Sequence, residues 1–223
     1  MKVVNRTTGP GLFLDLRKNR MLKFCKYLKE QWVMRVIAGG HKGRRLIPPK
    51  GQGLRPTSAR VREALFSILR ERTTGARFLD LFAGTGAIGI EALSRGAQSA
   101  TFVEPIASSL KVLRANLDRC GLIAPAKVHA CTAETFLRRQ QASEGSFDII
   151  FADPPYHEDI VTSLLSAIDQ AGIMAPDSIV VLEHFTKISV PPKLGRLVLR
   201  RRYQYGDTSL SVYNVHDQRE PSP

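Results

Sequence analysis

From residue 77 onward, short apolar runs alternate with stripes of helical period. Arg77–Phe82, Ser99–Glu104, Ala126–Ala130, Phe147–Phe151 and Ser178–His184 each carry the continuous apolar character of a strand covered on both faces. Between them the period lengthens. A helix is predicted near Gly86–Arg95, and Ile106, Leu110, Leu113 and Leu117 mark a second. Two more fall near Ala133–Gln141 and Glu158–Ala171. Repeated β-α units predict an α/β fold with a mostly parallel, doubly wound sheet. Beyond Pro191-Pro192, Arg196–Tyr203 and Thr208–Val215 flank Gln204-Tyr205-Gly206-Asp207, which reads as an antiparallel C-terminal edge hairpin. The expectation is a seven-stranded sheet.

The first 76 residues follow a different pattern. Arg35-Val36-Ile37-Ala38 and Leu46-Ile47-Pro48 flank Gly39-Gly40-His41-Lys42-Gly43-Arg44-Arg45, predicting an N-terminal β-hairpin with a cationic tip. After Arg55-Pro56-Thr57, with Thr57 or Ser58 as helix cap, Val61, Ala64, Leu65, Ile68 and Leu69 form one apolar stripe. Arg60, Arg62 and Arg70 are expected largely off it. Residues 1–33 mix basic and apolar positions without the apolar core of a secretory signal. They read as a basic amphipathic helix, a transit segment, or an extension upstream of a natural start at Met34, the last being favoured. The expected divisions are 1–33, 34–72 for RNA docking, a 73–216 catalytic domain and a 217–223 tail.

Charge sharpens this division. Residues 1–72 hold 18 Lys+Arg against 4 Asp+Glu, whereas residues 73–223 hold 15 against 16. A near-neutral body carrying a basic front end points to a polyanionic partner. No apolar run reaches the ~20 residues of a membrane span. Three cysteines without C-x-x-C spacing argue against a disulfide framework and fit a reducing cytoplasm. Five scattered histidines predict no metal site.

Chemistry concentrates in two segments. In Phe78-Leu79-Asp80-Leu81-Phe82-Ala83-Gly84-Thr85-Gly86-Ala87-Ile88-Gly89, a strand enters a glycine-rich turn that opens a helix, the arrangement that admits a ligand close to the backbone. Glu104, 20 residues past Gly84, is placed to accept ribose hydroxyls. Alone, this pattern equally suits a dinucleotide. Asp80 weighs against a pyrophosphate and suits S-adenosyl-L-methionine, which has an ammonium, a sulfonium and a ribose but no phosphate. The second segment is Asp153-Pro154-Pro155-Tyr156, directly after the fourth strand. Its prolines remove two N–H donors and leave carbonyl acceptors. The Asp153 carboxylate and Pro154 carbonyl supply the two acceptors that an exocyclic amine requires, and Tyr156 offers a ring for stacking an extruded base.

Together these segments resemble the class I S-adenosyl-L-methionine-dependent methyltransferases that act on exocyclic amines, whose fold is Rossmann-like. The flanking Arg35-Val36-Ile37-Ala38-Gly39-Gly40, Lys42-Gly43-Arg44, Arg55-Pro56-Thr57, Val61-Arg62-Glu63-Ala64-Leu65-Phe66 and Tyr205-Gly206-Asp207-Thr208 resemble the RsmD family, the bacterial 16S ribosomal RNA guanine-N2 methyltransferases. The likeness runs from about Met34 to Tyr213. It implies a cytoplasmic, monomeric enzyme acting on 16S rRNA within a 30S assembly particle, with no membrane or metal. It implies Asp153, Pro154, Pro155 and Tyr156 as catalytic residues. The implied cofactor contacts are Asp80, Phe82, Gly84, Thr85, Gly86, Glu104, Thr132, Ala133 and Asp153. Thr132 stands where such sites often carry an acid or an amide at the adenine edge. Lys42, Arg44, Arg45, Arg55 and Arg60 are the expected RNA contacts. His41 reads as an RNA contact or solvated, His157 as a helix-start residue, Glu183-His184 as structural, and Arg200-Arg201-Arg202 as RNA-binding or a surface strand.

Three other readings compete. Asp-Pro-Pro-Tyr also serves N6-adenine DNA methyltransferases, against which the absence of room for a sequence-reading domain counts. The glycine loop suits an NAD-dependent oxidoreductase, opposed by Asp80 and the Asp153 motif. A non-catalytic RNA-binding module has no need of that motif.

Overall fold

A computed structural model describes residues 34–48, 59–139, 146–155 and 158–216. The expectations for residues 1–33, Thr57 or Ser58 as cap, Arg55, Tyr156, His157 and the 217–223 tail lie outside them.

The strands are β1 (Arg77–Asp80), β2 (Ser99–Val103), β3 (Ala126–His129), β4 (Phe147–Ala152), β5 (Met174–Phe185), β6 (Lys193–Leu194), β7 (Leu197–Tyr205) and β8 (Thr208–Val215). They form one sheet in the order β3-β2-β1-β4-β5-β8-β7-β6. The first five pair in parallel and the last three antiparallel. The α/β, doubly wound reading is therefore correct, but the sheet has eight strands rather than seven. Lys193–Leu194 pairs with only Leu197 and Val198 of β7, and a strand of two residues leaves no periodicity to read. The C-terminal hairpin turns on Gly206-Asp207, with Gly206 at φ +64°.

The helices are α1 (Ala59–Leu69, continued by a 3₁₀ turn over Arg70–Thr73), α2 (Ala87–Ser94), α3 (Ala107–Cys120), α4 (Ala133–Arg139) and α5 (Glu158–Gln170). One face of the sheet buries Phe78, Phe102, Ile149, Phe151 and Val181 against α1, α2 and α3. The other buries Leu79, Leu81, Ile150, Val180 and Leu182 against α4 and α5. This alternation along β1 explains its fully apolar run: Phe78 faces one layer and Leu79 the other. Val36 and Leu46 of the front segment join the first layer.

The predicted N-terminal hairpin forms: Arg35 and Arg45 make an antiparallel bridge. Val36 N–H donates to the Arg44 carbonyl at 3.0 Å, Gly43 N–H to the Val36 carbonyl at 2.9 Å and Leu46 N–H to the Met34 carbonyl at 2.8 Å. The amides of Ile37, Ala38, His41 and Ile47, by contrast, bond to side chains on the helices beneath. Arg62 departs from expectation: it is 2% exposed rather than facing solvent. It lies four residues before Phe66 and seven before Leu69, on the buried face of α1. No helix among the described residues is long and apolar enough to cross a membrane.

Candidate active site

β1 and β4 are neighbours at the centre of the sheet, with Asp80 opposite Phe151. The chain leaves both strands at their carboxyl ends, where α/β sheets place their ligands. Asp80 ends β1 and Asp153 follows β4 by one residue, so sheet register brings the two sequence motifs together.

The glycine loop is held from several sides. Gly86 N–H donates to the Ala83 carbonyl at 2.7 Å, and Ala83 N–H to Val103 at 3.0 Å. Gly84 and Gly86 adopt φ of +52° and +79°, a region that favours glycine. A Cβ on Gly84 would meet nothing within 4 Å, so the backbone there borders open space. On Gly89 it would lie 2.3 Å from the Phe102 ring. That glycine lets α2 close onto β2.

Glu104, 5% exposed, accepts Gly84 N–H at 2.8 Å through Oε2 and Ile106 N–H at 2.8 Å through Oε1. It ties β2 to the loop and keeps a lone pair on each oxygen. Asp80 is 1% exposed; its Oδ2 accepts Gly89 N–H at 3.2 Å, while Oδ1 is buried and has no hydrogen-bond partner among the described residues. Burial pushes Asp80 up to about 7, opposed by the Gly89 and Phe82 amides and reinforced by the nearby Asp153 and Glu104 carboxylates. Asp153 is partly buried, and burial raises it to about 7 as well. Pro154 is buried and Pro155 exposed.

A family model described as conserved hypothetical protein 95 matches residues 34–214. The chain is 38% identical over 180 residues to YlbH of Bacillus subtilis (strain 168), provisionally named an rRNA methyltransferase, spanning 81% of this chain and 98% of that protein. Over 187 residues it is 32% identical to ribosomal RNA small subunit methyltransferase D of Escherichia coli (strain K12), covering 84% of this chain and 92% of that one. The chain belongs to the RsmD family of methyltransferases. Its fold matches that of Escherichia coli yhhF, provisionally described as a methyltransferase, with TM-score 0.74, 32% identity and coverage of 83% and 99%.

In this RsmD-family member the other predicted residues fall in several surroundings. Phe82 packs against the α4/α5 layer and Thr85 is 8% exposed. Thr132 caps α4: its Oγ1 accepts Thr135 N–H at 3.2 Å and lies 2.9 Å from Thr135 Oγ1. Ala133 is buried behind it. Lys42, Arg44, Arg45 and Arg60 are exposed. Arg44 donates to the Arg119 carbonyl at 2.9 Å. His184 is structural, bridging Phe185 O and Ser211 Oγ at 2.8 Å each, and burial lowers its pKa.

Sequence reasoning missed the buried polar groups that join the basic front segment to this RsmD-family core. Glu91 on α2 is fully buried and accepts Ile37 N–H at 2.8 Å, Ala38 N–H at 2.9 Å and Arg95 Nε–H at 2.9 Å. Arg62 Nε lies 3.9 Å from it, while Arg62 Nη2 donates to the Arg35 carbonyl at 2.6 Å. Ser94 Oγ donates to the Ala38 carbonyl at 2.6 Å and accepts His41 N–H at 3.0 Å. The available signal was a lone glutamate in the otherwise apolar run AIGIEALS. A charge there is almost never buried unpaired.

Proposed function

We propose that this chain transfers a methyl group from S-adenosyl-L-methionine to the exocyclic N2 amine of a guanine in 16S ribosomal RNA, acting on a 30S assembly particle. The observation that carries this reading is the juxtaposition of Asp80 and Asp153 at the ends of adjacent strands, beside a glycine loop open to a ligand. The likeness to a ribosomal RNA small subunit methyltransferase supports the substrate class.

The residues fit the cofactor. A buried carboxylate oxygen with no partner among the described residues is matched to an ammonium, not to a phosphate. Asp80 would hold the amino-acid end of S-adenosyl-L-methionine, Phe82, Gly84, Thr85 and Gly86 its central part, Glu104 the ribose hydroxyls, and the Thr132-Ala133 turn the adenine edge. When bound, S-adenosyl-L-methionine supplies an electrophilic methyl on a cationic sulfur.

The guanine amine is a poor nucleophile because its lone pair is delocalised into the ring. Asp153 and the Pro154 carbonyl accept its two hydrogens, favour pyramidalisation and aim the lone pair. Such positioning contributes on the order of 7–11 kcal/mol in ideal cases. Pro155 stiffens the turn, and Tyr156 stacks on the base. A carboxyl raised to about 7 is matched to receiving a proton near neutral pH. Lys42, Arg44, Arg45, Arg55 and Arg60 hold the RNA backbone, making residues 34–72 the docking element and 73–216 the methyl-transfer domain.

Tritiated methyl incorporation into 30S particles from cells lacking the enzyme tests this directly. One guanine N2 should be labelled, and Asp153→Ala should abolish labelling while S-adenosylhomocysteine still binds. Labelling of adenine in duplex DNA instead would overturn the reading.

A further inference from the structure

Asn116 lies inside α3 and is fully buried, an expensive place for a primary amide unless all its hydrogens are used. All of them are. Its Nδ2 donates to the Thr85 carbonyl at 2.9 Å and to the Ile47 carbonyl at 3.2 Å, and its Oδ1 accepts Ile47 N–H at 2.7 Å. One side chain therefore grips two segments that are distant in sequence. Thr85 is the middle residue of the Gly84-Thr85-Gly86 turn. Ile47 follows the exposed pair Arg44-Arg45, and neighbouring Leu46 N–H donates to the Met34 carbonyl at 2.8 Å.

We propose that Asn116 is a positioning residue shared by the two binding segments, fixing the cofactor loop through Thr85 and the RNA-docking segment through Ile47. The inference rests on the function proposed above and adds a residue to it. Asn116 reaches neither ligand; it acts through the backbone of both segments. The chemistry requires an amide. Leucine fills a similar volume but leaves a buried N–H and two carbonyls unsatisfied. Aspartate keeps the acceptor but sets a carboxylate against two carbonyl oxygens. The shared grip predicts one signature: a single change at Asn116 weakens cofactor and RNA together, whereas a change at Arg44 or Arg45 weakens RNA alone.

The test measures kcat, the KM for S-adenosyl-L-methionine and the KM for 30S particles, with S-adenosylhomocysteine affinity by calorimetry as a readout independent of turnover. For Asn116→Asp, both KM values should rise about tenfold or more and S-adenosylhomocysteine binding should weaken in parallel, with kcat within about threefold of the parent, as loss of two buried hydrogen bonds implies. A merely structural role would lower kcat with the folded fraction and leave both KM values unmoved, which would overturn the proposal. Ile47→Pro provides a second route if Asn116→Asp does not fold. It deletes the N–H that meets Oδ1 without altering α3 or the loop. Its S-adenosylhomocysteine affinity should fall several-fold; an unchanged affinity sinks the shared grip. The underlying reading fails differently: the unmodified protein itself would then bind no S-adenosylhomocysteine and label no particle.

Discussion

Asp80 and Asp153 stand at the carboxyl ends of two paired parallel strands, and each is a carboxyl pushed up to about 7 by burial. The Asp153 charge is among the causes that raise Asp80. Two buried carboxyls held this way favour their neutral forms. A cation placed beside them would reverse that preference, which is the electrostatic ground for assigning this pair a cationic ligand.

Cofactor affinity should therefore depend on pH with a definite sign. Below about 7 Asp80 carries a proton and cannot pair with the ammonium; above it the carboxylate is free to do so. S-adenosylhomocysteine affinity, measured by calorimetry between pH 5.5 and 8.5, should rise with pH and level off above about 7.5. The slope should approach tenfold per pH unit where one proton is displaced. Asp80→Asn should flatten the profile at the weak end. A flat profile in the parent would remove Asp80 from the ammonium.

The same pair costs stability. The folded pKa of Asp80 lies above its unfolded value, so the folded state holds more protons between about pH 4 and 7 and loses stability as pH rises through that window. Asp80→Asn removes the buried charge and should stabilise the ligand-free protein at pH 8 by on the order of 2–4 kcal/mol, read from urea unfolding. The gain should shrink as pH falls and vanish toward about pH 3, below both pKa values, where Asp80 is neutral in both states.

Much of the sheet could be read from sequence because β1, β2, β4 and β5 are buried on both faces and so appear as unbroken apolar runs. Asp80 and Asp153 stood out as charges set at the ends of such runs. The front segment is only partly legible for the opposite reason: its hairpin forms as expected, but its anchors lie far away in sequence. Val36, Ile37 and Leu46 are β-prone, but Ile37, Ala38 and Ile47 find their hydrogen-bond partners in Glu91 and Asn116, 53 to 69 residues away. Local periodicity carries no record of such partners. Arg62 is buried against the expectation from its charge because its helical spacing to Phe66 and Leu69 sets it on the buried face of α1.

Glu91 therefore supports more than its own helix. Glu91→Gln keeps the shape but leaves Arg62, 3% exposed at its side chain, without its countercharge. Breaking a buried pair from one side costs about 3–5 kcal/mol, and guanidinium unfolding should show a loss of that order. Burial already lowers the Arg62 pKa and Glu91 opposes it, so the destabilisation should be smaller in Arg62→Met/Glu91→Gln than the two single changes summed. Strict additivity would mean that the two side chains do not support one another.

Two glycines of the loop should fail in different ways. Gly89→Ala places a methyl 2.3 Å from the Phe102 ring, so α2 must move off β2, at about 1–3 kcal/mol of stability. Phe102→Leu should recover part of that loss. Gly84→Ala meets no atom within 4 Å, and its φ of +52° adds only strain on the order of 1–2 kcal/mol. Its added methyl instead occupies the open space beside the loop. Thermal melts should show Gly84→Ala folded and unresponsive to S-adenosylhomocysteine, and Gly89→Ala destabilised yet shifted upward by the ligand.

The exposed cations of the front segment make the last prediction. Lys42, Arg44 and Arg45 are free to meet phosphates, although Arg44 also donates to the Arg119 carbonyl at the end of α3. Each phosphate contact contributes about 0.7–0.9 to the slope of log K against log salt. Arg44→Ala/Arg45→Ala should therefore flatten the salt dependence of RNA binding by between one and two units, while kcat at saturating RNA stays near that of the parent. Arg62→Ala provides the contrast. Its guanidinium is buried beneath the segment, so the change should cost stability and leave the salt slope of the folded fraction intact. If the slope is unchanged in Arg44→Ala/Arg45→Ala, the RNA backbone lies elsewhere on the molecule.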